Sequence, residues 1–233
     1  MVWEEYVMKR TRLADRRLPD YTRGEEIFNM VSHIVGGAFA VAALVLCVIM
    51  AAMRGNHWGI VSGAVYGGTM IVLYTMSSIY HGLRPVMAKK VFQVIDHCSV
   101  FLLIAGTYTP ITLVALRPVH PAAAWTIFGI VWGCAAIGIV FNAIDLAGFK
   151  IFSMICYLGM GWCIIFAFRM TAEALTLPGT VLLFAGGICY TLGAILYGLG
   201  KKRRYMHSVF HLFVLAGSIL HFFMILLYVL PLR

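Results

Sequence analysis

The sequence predicts an all-α, polytopic integral membrane protein of seven transmembrane helices, with the N-terminus cytoplasmic and the C-terminus outside. Three observations carry that prediction. Of the 233 residues, 62% are hydrophobic and 12% charged, whereas soluble domains average roughly 45–50% apolar and 25% charged. Seven runs reach the about 20 apolar residues that a hydrocarbon core requires, at residues 27–52, 59–81, 91–116, 123–145, 150–170, 178–200 and 205–230. The basic residues also segregate between alternate loops. With the N-terminus inside, fourteen of the eighteen Lys and Arg residues fall on the cytoplasmic side, as the positive-inside rule requires. The four outside are Arg54, Arg117, Arg169 and Arg233. A net charge of +9 distributed in this way is a topology signal and does not indicate a nucleic-acid partner.

Residues 1–24 read as a cytoplasmic arm and residues 25–233 as the membrane domain. The arm carries Lys9, Arg10, Arg12, Arg16, Arg17 and Arg23 and lacks the apolar core of a signal peptide. Val2, Trp3, Tyr6, Val7 and Leu13 fit an amphipathic helix on the membrane, and a disordered arm fits equally well. The Lys201–Arg204 block reads as a topology signal, with attraction to anionic lipid as the alternative. The six cysteines lie inside predicted spans without metal-type spacing and read as packing residues. The pairs Gly36-Gly37, Gly67-Gly68 and Gly186-Gly187 predict close helix packing. Asp145 and Glu173 near span ends, and His57 and His120 in outside loops, read as solvated.

The remaining polar residues converge on one layer. In the first run Glu26, Asn29 and His33 follow one another at spacings of three and four, which places them on one helical face. The second run closes on His81, preceded one turn earlier by Ser77. The third opens with Asp96-His97, and the seventh with His207 and His211. Alternating helix directions bring all of these to the cytoplasmic end, so that five of the eight histidines share half of the membrane. An ionisable group at such depth costs about 2.5–3.5 kcal/mol on insertion scales, so it needs a partner, a ligand or a polar cavity.

Two histidines at i,i+4 face one point, and imidazole is the commonest biological zinc ligand. We therefore expect a Zn2+ site of the catalytic type, with His81, His207 and His211 as ligands and a fourth position open to water. Asp96 is placed to hold that water and accept its proton, and Ser77 to orient a ligand or polarise a substrate carbonyl. Glu26, Asn29, His33 and His97 are expected to support the ligands, with a purely structural role or a place among the ligands as the alternatives for His97. His221 lies some 15 Å beyond His211 by helical rise, too far to share a metal. An interhelical hydrogen bond or a place in a cavity wall is expected for it.

These motifs together resemble the bacterial hemolysin III family, which is related to the progestin and adiponectin receptors. They are Glu26-x-x-Asn29-x-x-x-His33, Ser77-Ser-Ile-Tyr-His81, Asp96-His97 followed by Gly106-Thr107-Tyr108-Thr109-Pro110, and His207-Ser-Val-Phe-His211. The resemblance runs from about Glu25 to the end of the chain. It implies a zinc site at Ser77, His81, Asp96, His207 and His211 near the cytoplasmic face. Because the wider superfamily includes alkaline ceramidases, it also implies hydrolysis of a lipid amide or ester bond. The short outside loops leave little surface for a protein hormone, so receptor function is not carried over. Four readings compete: a zinc-dependent lipid hydrolase, a regulator of membrane lipid composition or energetics with structural zinc, a pore-forming cytolysin, and a proton-coupled carrier. The partners expected are membrane lipids, one of them a substrate in the first reading.

Overall fold

The structure, a computed structural model, describes residues 10–199 and 203–232. Helix α1 spans Arg23–Met53, α2 His57–Gly82 and α3 Val86–Pro110, which runs on as a π-helical turn, Ile111–Leu116. Helix α4 spans Pro121–Asp145 and α5 Lys150–Trp162. A 3-10 segment, Cys163–Ala167, links α5 to α6, Phe168–Leu199; α7, Met206–Met224, ends in a π-helical turn, Ile225–Val229. No strand occurs among the described residues.

Six of these helical stretches are long and apolar enough to cross a membrane. The fifth and sixth apolar runs of the sequence lie in one stretch, Lys150–Leu199, of 50 residues. It is broken at Thr176, where φ is 61° and ψ 169°, two residues before Pro178. A β-branched residue in that region is strained by about 1–3 kcal/mol, and proline withholds the amide that would continue the helix.

Local chemistry sets the helix starts. Thr22 and Glu25 form a reciprocal capping box at α1, Asn56 accepts from the Gly59 amide at α2, and Pro121 opens α4. The ends of α3 and α7 loosen into π turns, the first of them directly after Pro110, whose ring disfavours regular helical bonding. Helix α3 is central: 83% of its most apolar stretch is buried, against 22–44% in the other five. Sequential neighbours pack side by side, and α1 also contacts α7, so the first and last helices meet. Large apolar side chains such as Ile34, Val41, Ile137 and Phe166 cover the outside, as lipid contact requires.

One member of each glycine pair makes the expected close contact. A Cβ on Gly36 would lie 2.5 Å from the Tyr74 ring, and one on Gly67 2.6 Å from the Leu44 backbone. One on Gly186 would lie 2.3 Å from the His221 ring. Their neighbours do not behave alike: Gly68 faces open space, and Gly37 and Gly187 make only ordinary contacts. A helix turns about 100° per residue, so adjacent glycines cannot share a seam. Because backbone cannot yield as a side-chain tip does, Gly67→Ala is expected to lower stability by about 1–3 kcal/mol. Gly68→Ala is the control, and comparing their thermal midpoints in detergent checks the assignment. All six cysteines are free thiols, consistent with packing.

Within the bundle, Tyr74 donates to Ser218 Oγ at 2.7 Å and Tyr190 shares the same oxygen at 2.8 Å. His221 pairs through Nε2 with the Leu183 carbonyl at 3.0 Å, the interhelical bond expected of it.

The described part of the arm, from Arg10 on, fits neither expectation. Residues 1–9, including Val2, Trp3, Tyr6 and Val7, lie outside the described residues. From Arg10 onward the arm is neither a helix on the membrane nor a detached segment. It docks on the end of the bundle: the Thr11 amide donates to Asp145 Oδ2 at 2.8 Å, Arg10 Nε to the Ile144 carbonyl at 2.9 Å, and Lys90 Nζ to the Ala14 carbonyl. Arg16 is buried, and the burial lowers its pKa while Asp145 opposes the shift. Asp145 is therefore not simply solvated. It is 6% exposed and also accepts from the Ala147 and Gly148 amides, closing the α4–α5 turn. Glu173 and His57 are exposed as expected, but His120 is half-buried with Nε2 3.5 Å from Glu173.

Candidate metal centre

Glu25 joins the two helices that carry most of the polar layer. Besides capping α1, its Oε1 accepts the Tyr205 amide at 2.6 Å, and Arg204 lies 3.5 Å from its Oε2. Tyr205 adopts the left-handed conformation, φ 61° and ψ 3°, immediately before α7. The bond to Glu25 offsets the cost of that conformation for a non-glycine residue and sets the direction in which α7 leaves. One turn on, Ser208 Oγ donates to Asn29 Oδ1 at 2.7 Å, stitching α7 to α1. His207 and His211 then face the centre.

His81, at the end of α2, meets them. Its Nε2 lies 3.3 Å from His207 Nε2, which in turn lies 3.0 Å from His211 Nε2. Each of the three histidines offers one nitrogen to a group within 4.8 Å of one another. For zinc bonded to nitrogen at 2.0–2.1 Å in tetrahedral geometry, ligand nitrogens stand about 3.3 Å apart. Proton bookkeeping points the same way. His81 Nδ1 lies 2.6 Å from Glu26 Oε2; assigning it the proton leaves Nε2 a bare lone pair. If His207 donates to that lone pair, its Nε2 has nothing left to accept from His211. One mutual hydrogen bond is the most the trio can make, whereas a cation satisfies all three nitrogens. The donor set fits a divalent metal, and three imidazoles favour zinc over magnesium or calcium.

The supporting shell runs deeper than the ligands. Glu26 Oε1 pairs with Lys89 Nζ at 2.9 Å, and the same ammonium donates to the Tyr80 and Leu83 carbonyls at 3.0 and 3.3 Å. Lys89 thus caps the end of α2 while holding the carboxylate that holds His81. His33 stacks on His211 at 3.8 Å between ring centroids and meets Tyr74 edge-on. Asn29 acts through Ser208, as described. His97 donates from Nδ1 to the Gln93 carbonyl at 2.8 Å, and its Nδ1 is 3.8 Å from Asp96 Oδ2. Asp96, its side chain 14% exposed, faces Ser77 across the α2–α3 interface. All nine residues singled out from the sequence lie at this end, with the three histidines in the middle.

A cavity extends from the centre into the bundle between α3, α5, α6 and α7. Ser77, Asp96, His207 and His211 line one end, apolar residues such as Leu103, Ile104 and Val214 line the middle, and Tyr190 and His221 lie deeper.

Sequence reasoning missed three residues here. From the sequence Lys89 reads as one of the cytoplasmic topology charges, although Lys89, Gln93 and Asp96 share one helical face at spacings of four and three. Glu25 and Tyr21 belong to a legible capping-box pattern, Thr22-x-x-Glu25, with Tyr21 just before it. Tyr21 stacks on His207 at 5.0 Å and 13° and lies 5.8 Å from His81. Burial raises its phenol pKa well above the ordinary value, and Tyr197, Tyr80, Glu26 and Asp96 push it the same way, so it stays neutral.

With this arrangement in place, the profile of the haemolysin-III-related family matches residues 21–222, from Tyr21 to Phe222 near the end of α7. The chain belongs to the haemolysin-III-related family. It is 41% identical over 207 residues to Hemolysin-3 of Bacillus cereus, covering 89% of this chain and 93% of that protein. It is 39% identical over 208 residues to the Hemolysin-3 homolog of Bacillus subtilis (strain 168), covering 89% and 96%. The human monocyte to macrophage differentiation factor is more distant, 25% identical over 193 residues, covering 79% and 77%. Bacillus relatives and six apolar helical stretches make this haemolysin-III-related chain a multi-pass protein of the bacterial plasma membrane.

Outer partners of metal-bound histidines typically contribute 10- to 100-fold in affinity. Glu26→Gln and Lys89→Met are each expected to weaken metal binding by about that factor, the first more than the second. Competition with a chelator of known affinity measures it. Unchanged affinity in both variants rejects the support assigned to this pair.

Proposed function

We propose that this haemolysin-III-related protein is a seven-helix membrane protein with a cytoplasmic N-terminus. In this reading it holds Zn2+ at His81, His207 and His211 and hydrolyses an amide or ester bond of a membrane lipid. Counting the Lys150–Leu199 stretch as two helices divided at Thr176 yields seven crossings and agrees with the distribution of basic residues. The observation that carries the enzymatic reading is the cavity, apolar along its length and ending at the triad beside Asp96 and Ser77. An acyl chain fits such a lining, and its carbonyl end would come to rest where the polar residues converge.

A zinc ion held there would supply Lewis acidity toward a carbonyl oxygen and acidify water. The chain's residues do the rest. Asp96 accepts a proton at its carboxylate and returns it to the leaving group, while Ser77 orients that carboxylate by hydrogen bonding. Glu26 fixes the His81 ring, and Lys89 fixes Glu26. The apolar middle of the cavity keeps bulk water from the reacting end. The test is product release from defined amide- and ester-linked lipids by the purified protein, metal-loaded against chelated. Equal release in the two states rejects the hydrolase reading.

The placement of the triad supports a second reading. It ties α2 to α7 in the bundle, so a metal could serve as a clamp in a regulator of membrane composition or energetics. That reading expects a large fall in thermal midpoint on chelation together with no turnover across a broad lipid panel.

A further inference from the structure

Residues 10–21 occupy a particular place. The segment is anchored at its far end on the α4–α5 turn, through Thr11 on Asp145 and Arg10 on the Ile144 carbonyl, and in its middle by Lys90 on the Ala14 carbonyl. At its near end the Thr22–Glu25 capping box sets the direction from which the chain enters α1. Between these points Tyr21 lies flat on His207 and against His81. Of the three triad histidines, His81 and His211 are buried at 3% and 1% exposure, and His207 is the half-buried one. The ring of Tyr21 covers the outermost member.

We propose that residues 10–21 are a lid over the metal centre, and that metal enters and leaves only when this strap lifts Tyr21 from His207. The proposal rests on the metal reading above. The opposite approach to the triad runs through the apolar cavity, which a hydrated cation cannot cross without losing its shell. The strap end is therefore the polar route. The strap is held by a few hydrogen bonds and one stacked pair rather than by a packed helix. Such segments open locally at far lower cost than the whole fold. The three basic residues Arg12, Arg16 and Arg17 differ in exposure, with Arg16 buried and its neighbours exposed. Strap docking thus leaves a trace that requires no metal: trypsin should cut slowly after Arg16 while the strap is down.

The experiment uses the full-length, zinc-loaded protein in detergent, with zinc release followed after addition of excess chelator. Tyr21→Ala removes the seal, and Thr11→Pro removes the distal amide without touching the triad. Tyr21→Phe keeps the stacked ring. Release is expected to quicken about three- to tenfold in Tyr21→Ala and about fivefold in Thr11→Pro, and to stay within about twofold of wild type in Tyr21→Phe. Bound zinc before chelation should be the same in all four proteins. Trypsin cleavage after Arg16 should quicken in the same order. Equal release rates in the four proteins overturn the lid, as does faster cleavage without faster release. Wild-type protein that binds no zinc overturns the metal reading and the gating together, and cleavage rates then still report whether the strap docks.

Discussion

His207→Ala combined with His211→Ala is expected to strip the protein of stoichiometric metal. The change removes two of the three convergent nitrogens and leaves His81 alone at the end of α2. A single imidazole cannot hold zinc against a mild chelator. The loss in affinity should exceed the roughly 10- to 100-fold that follows from losing an outer partner. Elemental analysis of purified wild type and double variant measures it. Two controls sharpen the result. His57→Ala removes an exposed histidine at the start of α2 and should change nothing. His221→Ala breaks the bond to Leu183 deep in the bundle and should cost stability while metal is retained. A double variant that holds as much metal as wild type would place the ion elsewhere.

Asp96→Ala separates chemistry from binding. Asp96 stands apart from the close triad, beside Ser77 and His97, so its removal should leave most of the metal in place. General acid–base groups typically contribute 10²- to 10⁴-fold to rate. Turnover of a responsive lipid is therefore expected to fall by about that factor, and Asp96→Asn should fall nearly as far because an amide cannot accept the proton. Measuring metal content and product release on the same samples gives a clean separation. Loss of metal along with turnover would make Asp96 a ligand, and full turnover would remove it from the reaction.

The polar layer was legible because apolar runs make every ionisable residue conspicuous. Glu26, His81, Asp96, His207 and His211 each stand out against their surroundings, and alternating helix direction is enough to bring them level. Lys89 was harder to read. Near a loop a lysine has a sufficient explanation in topology, and only the fold shows its ammonium on Glu26 and the α2 carbonyls. Asp145 was misread for a similar reason. A carboxylate at a helix end is usually solvated, but here it meets the Thr11 amide from 134 residues away. The break at Thr176 had a local cue in Pro178, and the left-handed turn at Tyr205 had none, since Glu25 stabilises it from across the bundle. What the sequence hid were interactions between residues whose separate explanations were already adequate.

The meeting of α1 and α7 through Glu25 and Ser208 has a consequence for biosynthesis. Glu26 and His81 lie in the first two helices, whereas His207 and His211 arrive on the last. While the chain is being made, the early helices can offer a metal a single triad imidazole. The triad comes together only when α7 inserts and is drawn against α1, so bound metal would mark a finished molecule. A chain that stops before Tyr205 would hold every supporting group on α1, α2 and α3 and yet have no address for an ion.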